Sequence, residues 1–185
     1  TKVLADACTR LTGRKAMLVS PALNTGLTFA VDAPDRVGRD RIADATAAAA
    51  HYPLPCMTVD LGTATTYNVI SSKRDFLGGF ILPGVQTSLR AISAGTAQLP
   101  PIAPEPPEHL VGRNTVEALN NGAMFGTAAM LDGLADRVEA ELGQPLTVVA
   151  TGGLAPYIMP CCKRKILYDG DLLFKGLALI WERNS

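Results

Sequence analysis

Along this chain the apolar positions follow a helical period in some stretches and an extended one in others. Val3, Leu4, Ala7 and Leu11 recur at nearly helical spacing, with Gly13 as a stop, and predict a helix from Lys2 to Leu11. Ala16 to Val19 reads as a short buried strand. Ser20 to Gly38, punctuated by Pro21, Gly26, Pro34 and Gly38, reads as a loop of the length that binding loops take. Asp40 to Ala50 is an alanine-rich helix with a polar start, closed by Pro53 and Pro55. Met57 to Leu61 and Tyr67 to Ser71 are apolar, β-branched runs on either side of Gly62 to Thr66, the pattern of a hairpin with a small-residue turn.

Gly78 to Leu82 predicts a third strand, and Pro83-Gly84 starts a helix to about Ala94. Pro100 to Pro107 is an extended surface excursion. Val116 to Leu142 fits one long helix, with Gly122 and Gly126 as possible breaks and Gly143 as its end. Leu146 to Ala150 is a buried strand running into Thr151-Gly152-Gly153, and residues 172 to 181 form a final amphipathic helix. Strands in succession followed by helices around another buried strand give an α/β domain with a mixed sheet.

Composition narrows the function classes. At 185 residues and 48% hydrophobic, the chain can bury a core as one domain, or one domain plus part of a second. Seventeen basic residues balance seventeen acidic ones, so no excess positive field draws it to nucleic acid or an anionic membrane. No apolar run approaches the roughly 20 residues of a bilayer span, and the N-terminus lacks the pattern of a signal peptide, so a cytoplasmic location is expected. Cys8, Cys56, Cys161 and Cys162 make no C-x-x-C pair, and neither His51 nor His109 sits at metal-ligand spacing from them. Thr1 is not an initiator methionine, which reads as a processed chain or one that begins inside a longer gene product.

Four constellations carry candidate chemistry. In Gly38-Arg39-Asp40-Arg41 a loop meets a helix N-terminus, where free backbone N–H groups and the helix dipole favour a carboxylate. Such an aspartate suits acceptance of a substrate hydroxyl proton, or serves simply to cap the helix, with Arg41 on a solvated face. In Asp60 to Thr66 a carboxylate at a strand end precedes glycine and hydroxyls, a set that can hold a cation near phosphates or make an ordinary hairpin turn. Thr151-Gly152-Gly153 follows a strand and lets a flat ligand lie against the backbone, as a plain turn also would. Gly112-Arg113-Asn114-Thr115 leads into Glu117, and Thr115 either caps the long helix or donates to a ligand.

In this order the motifs resemble those of type III pantothenate kinases, also known as Bvg accessory factor homologues. The family pattern P-x-x-x-G-x-D-R falls on Pro34 to Arg41, D-x-G-T-A-T-T on Asp60 to Thr66, and G-G-x-I-x-P-G on Gly78 to Gly84. G-x-x-T-x-E-x-x-x-x-G falls on Gly112 to Gly122 and T-G-G on Thr151 to Gly153. The resemblance implies the ribonuclease-H-like, actin-like ATPase fold of the acetate kinase, sugar kinase, Hsp70 and actin group, as a homodimer. It also implies ATP-dependent phosphorylation of pantothenate to 4'-phosphopantothenate, the first step of coenzyme A biosynthesis.

By that similarity Asp40 is the catalytic proton acceptor, and Gly38, Arg39, Asp40, Arg41 and Thr115 line the pantothenate site. Thr63, with Gly62, Gly152 and Gly153, contacts ATP. Asp60 binds a monovalent cation, K+ or NH4+, and Mg2+ accompanies the nucleotide. The family's opening strand and Asp-x-Gly-Asn-Thr phosphate turn have no counterpart in this sequence. Residues 1–38 then read as a remnant of the N-terminal actin-like domain with the substrate loop, residues 39–185 as the C-terminal actin-like domain, and the first domain as largely missing. Val31 stands where the family usually has a tyrosine contacting pantothenate, and Asn114 where relatives can have histidine. Two other functions fit the same residues: a truncated, non-catalytic paralogue acting as a dimerising regulatory module, or another actin-like small-molecule kinase.

Overall fold

A computed structural model describes residues 2–96 and 99–185, the side chain of Lys2 excepted. Six helices, α1 (Lys2–Thr12), α2 (Arg39–His51), α3 (Val85–Gly95), α4 (Thr115–Leu142), α5 (Ala155–Ile158) and α6 (Leu172–Asn184), flank a mixed sheet. Its strands are β1 (Thr28–Phe29), β2 (Cys56–Leu61), β3 (Ala64–Ile70), β4 (Asp75–Pro83), β5 (Thr147–Thr151) and β6 (Leu167–Tyr168), in the order β1-β4-β3-β2-β5-β6. β2, β3 and β4 form an antiparallel meander, and β5 and β6 continue parallel to β2. That five-strand arrangement is the ribonuclease-H-like topology, with β1 added parallel to β4 at its edge.

Strand alternation divides the interior into two cores. Met57, Val59 and Leu61 of β2 face the same side as Tyr67, Val69, Val148 and Ala150, and are covered by Leu89 of α3 and Met124, Leu131 and Val138 of α4. Cys56, Ile70, Phe76 and Val149 face the opposite side, under the alanines of α2 and Leu172 of α6. With helices on both faces, β2 reads as an apolar run interrupted by Thr58 and by one charge, Asp60.

The alanine content of α2 has a packing reason. Ile42 and Ala43 are completely buried, and Gly176 of α6 lies so close to Ala43 that an added methyl group would run into the Ala43 backbone. Gly→Ala inside a helix ordinarily stabilises by roughly 1 kcal/mol. Here Gly176→Ala is expected to destabilise by about 1–3 kcal/mol, because overpacking outweighs propensity. Urea unfolding reads the sign directly, and a more stable variant would refute the close approach.

Several expectations are revised. Ala16 to Val19 is irregular rather than a strand, and no strand pairs with it among the described residues. Its Met17 and Val19 instead pack as half-buried side chains beside Ile42 and Ile180. The hairpin turn is tighter than Gly62 to Thr66, since Leu61 already pairs with Thr65. α4 runs unbroken through Gly122 and Gly126. Asn114, not Thr115, caps it: the Asn114 side chain accepts from the Glu117 N–H at 2.9 Å, and Glu117 accepts from the Asn114 amide (2.7 Å) and the Arg113 N–H (2.8 Å). The proline-rich excursion is strapped to α4 by buried side chains. Asn120 bonds the backbone N–H and C=O of Glu105, and the Asn121 amide donates to the His109 carbonyl at 2.6 Å.

Candidate active site

β2, β4 and β5 run in the same direction, so their carboxyl ends lie at one edge of the sheet together with Asp60, the Gly62-Thr63 turn, Gly84 and Thr151-Gly152. Crevices at such ends are where α/β sheets bind ligands. The first turn of α2 reaches toward this end, where Arg41 bonds Asn68 and the Tyr67 carbonyl, the β3 residues that pair with Thr58 and Val59 just before Asp60. Two of the four sequence constellations, 38–41 and 60–66, therefore meet here, and the third, 151–153, abuts Asp60 directly.

Glycines make these approaches possible. Gly152 has φ 90° and lies against Asp60 and the Leu61 backbone so closely that a Cβ there would overlap the Asp60 carboxylate. At Gly38 a Cβ would stand 2.5 Å from Asp40 Oδ1, so the carboxylate can fold back over the start of α2 when residue 38 has no side chain. The Gly62-Thr63 turn is held from behind, its Thr63 carbonyl accepting from the Gly84 N–H (3.1 Å) and the Thr87 hydroxyl (2.7 Å). The Thr63 side chain stays exposed beside Asp60.

The α2-facing side of the sheet centre is polar. Thr58 and Asn68 are fully buried there, with Asn68 Nδ2 donating to the Thr58 hydroxyl at 2.9 Å. Arg41, expected on a solvated face or at the substrate, turns inward: Nε donates to Asn68 Oδ1 at 2.6 Å and Nη2 to the Tyr67 carbonyl at 3.2 Å, with the guanidinium 5.6 Å from the Phe76 ring centre. Burial lowers the Arg41 pKa, and Asp40 opposes that shift. Arg41→Lys is expected to cost about 1–3 kcal/mol, because a single ammonium cannot serve both acceptors and leaves one buried without a donor. Chemical denaturation tests this, and an unchanged midpoint would mean that the inward contacts contribute nothing.

Burial, reinforced by Asp40, raises the Asp60 pKa. A further carboxyl group, which no motif singled out, lies in the same neighbourhood. Asp44, one helical turn after Asp40, is 2% exposed, and its Oδ1 has no hydrogen-bond partner. Burial first, then the charges of Asp60, Asp40 and Asp169, push it up to about 7. The i, i+4 spacing from Asp40 was the available signal in the sequence. Asp40, Arg39 and Thr63 are exposed at the mouth, where a ligand can reach them.

Thr115 is placed differently. It is the exposed first residue of α4, the helix covering the face of the sheet opposite α2. Val31 sits against Gly78 and packs with the α2-side core. A cleft of about 630 Å3 between the 102–113 strap and α4 shares no lining residue with the Asp40–Asp60 end.

Among the described residues, no helix is long and apolar enough to cross a membrane. The family model of the type III pantothenate kinases matches residues 1–137. Relatives named type III pantothenate kinase include one from Hyphomonas neptunium, 42% identical over 164 residues, covering 89% of this chain and 64% of its own length. Another, from Exiguobacterium sibiricum, is 42% identical over 98% of this chain and 72% of its own length. The chain thus spans less than two thirds of the Hyphomonas relative. A solved Baf family structure from Campylobacter jejuni shares the fold, with a TM-score of 0.62 at 24% identity over 85% of this chain and 69% of its own.

Proposed function

Since the chain belongs to the type III pantothenate kinase family, we propose that it transfers the γ-phosphoryl group of ATP to the hydroxyl of pantothenate, giving 4'-phosphopantothenate and ADP for coenzyme A synthesis. The observation that supports this reading is that the 38–41 segment is tied through Arg41 to the β3 residues paired with Thr58 and Val59, next to Asp60 and the Gly152 that abuts it. Phosphoryl transfer needs mainly positioning and charge neutralisation. In this reading Asp40 accepts the proton of the attacking hydroxyl, while Gly38, Arg39 and Arg41 shape the pantothenate side. Arg41 contributes by fixing the first turn of α2 through Asn68 and the Tyr67 carbonyl. Thr63, Gly62, Gly152 and Gly153 form the nucleotide side.

Asp60 would hold a cation, K+ or NH4+ by family resemblance, with Mg2+ arriving on the nucleotide. A half-buried carboxylate cradled by Gly152 and bearing no recorded hydrogen bond fits an ion. Such an ion supplies charge neutralisation beside the phosphates. Thr115 opens the helix on the opposite face, so its part in the site calls for a second copy of the chain, consistent with a homodimer. Residues 1–38 would carry the remnant of the first actin-like domain and 39–185 the second, in a cytoplasmic enzyme.

The test is pantothenate-dependent ADP release by the chain with Mg2+ and K+, with the phosphorylated product identified by mass. ADP release matched by 4'-phosphopantothenate supports the reading. Preference for another hydroxyl compound, or a stable dimer without turnover, would replace it with one of the two alternatives.

A further inference from the structure

By the alternation of β3, Asn68 lies on the same side of the sheet as Ile70, under α2, where Cys56, Ile70 and Phe76 are apolar and buried. A fully buried carboxamide in such a place costs stability unless its polar atoms are paired. Asn68 is paired at both ends. It stands directly across from Thr58 of β2 and donates from Nδ2 to the Thr58 hydroxyl at 2.9 Å, while its Oδ1 accepts from Arg41 Nε at 2.6 Å. A guanidinium only donates, so the carboxamide has one orientation, oxygen toward Arg41 and nitrogen toward Thr58. Gly79, paired with Asn68 from the other side, leaves the Tyr67 carbonyl open to Arg41 Nη2. A Cβ at Gly79 would overlap that carbonyl and stand 3.1 Å from Nη2.

This line of contacts ends one residue from Asp40. α4 is fixed at its start by the reciprocal Asn114–Glu117 cap, whereas α2 begins at Gly38 with no side-chain cap. Its first turn is held from beneath instead, by Arg41 on β3. The anchor belongs to the same hairpin that carries Asp60 and the Gly62-Thr63 turn, with Thr58 two residues before Asp60. We propose that Asn68, oriented by Thr58, is a positioning residue for phosphoryl transfer: through Arg41 it fixes the first turn of α2, and with it Asp40, relative to the nucleotide side of that hairpin. This role rests on the reading of Asp40 as proton acceptor and extends it to two residues outside the sequence motifs. Misplacing a reacting group by about 1 Å can cost two orders of magnitude in rate, which gives a buried polar pair at the sheet centre its purpose.

The experiment compares Asn68→Ala, Asn68→Asp and Thr58→Val with the parent chain and Asp40→Asn, by pantothenate phosphorylation kinetics and by amide hydrogen exchange along α2, with circular dichroism as the check of folding. Asn68→Ala leaves Arg41 without its acceptor and is expected to lower kcat about 10- to 100-fold, while the KM for ATP moves less than about threefold. Exchange should quicken at Ile42 and the two residues after it, whose N–H groups bond back to the start of α2, and stay unchanged at residues 46–49. Asn68→Asp, whose carboxylate accepts from Arg41 and from the Thr58 hydroxyl, should restore kcat to within about threefold of the parent. Thr58→Val keeps the shape of β2 and frees the carboxamide to turn, and should lower kcat about three- to tenfold; should Asn68→Ala not fold, this variant carries the test. Exchange quickened evenly along the whole helix, or kcat unchanged in the folded variants while Asp40→Asn loses turnover, overturns the proposal and keeps the Asp40 reading. Turnover retained in Asp40→Asn, or absent from the parent, overturns both.

Discussion

Asp40→Asn is expected to lower pantothenate-dependent turnover by about 10²- to 10⁴-fold, the range assigned to a positioned general base. The substitution is nearly isosteric, and Asp40 is exposed and makes no side-chain cap bond to α2, so the fold should persist. Its effect should fall on kcat more than on pantothenate binding, since the amide keeps the shape of the site and loses only the capacity to take a proton. Retention of most of the turnover would eliminate Asp40 as the proton acceptor. A loss confined to KM would reassign it to substrate binding.

What the sequence made legible follows the strength of its periodic signals. α2, α4 and α6, the β2–β3 hairpin and β5 were readable because each carries a regular apolar pattern, closed in α4 by Gly143 in the left-handed conformation. β1 and β6 have two residues each and no pattern to read. Ala16 to Val19 had the composition of a strand without a neighbour to pair with, and composition cannot report that. The same division holds at the site. Asp40, Asp60 and Gly152 lie in local motifs, whereas Arg41 turned inward because Asn68, from a strand distant in sequence, offered a buried acceptor. Asp44 stayed hidden among the alanines of α2. Its meaning depends on which sheet face the helix covers, and Thr58 and Asp60 reach that face by the alternation of β2.

Asp44 also sets the second large effect, a stability that depends on pH. Its folded pKa of about 7 lies above the ordinary 3.8, so folding takes up a proton between those values. The stability that this proton contributes is full below the unfolded value and is lost as pH rises through about 7. At ~1.4 kcal/mol per pH unit, the penalty of holding the ionised group in metal-free protein is about 2–4 kcal/mol above pH 8. Asp44→Asn removes the ionisable group, so the variant is expected to be more stable than its parent at pH 8, with the margin shrinking by about 1–3 kcal/mol at pH 5. Urea unfolding at the two pH values, in chelator, measures the difference. An Asn variant less stable than the parent at pH 8 in chelator would show that Asp44 already has a protein partner. The ionised carboxylate would then be held by that partner, and burial would not be what governs its proton.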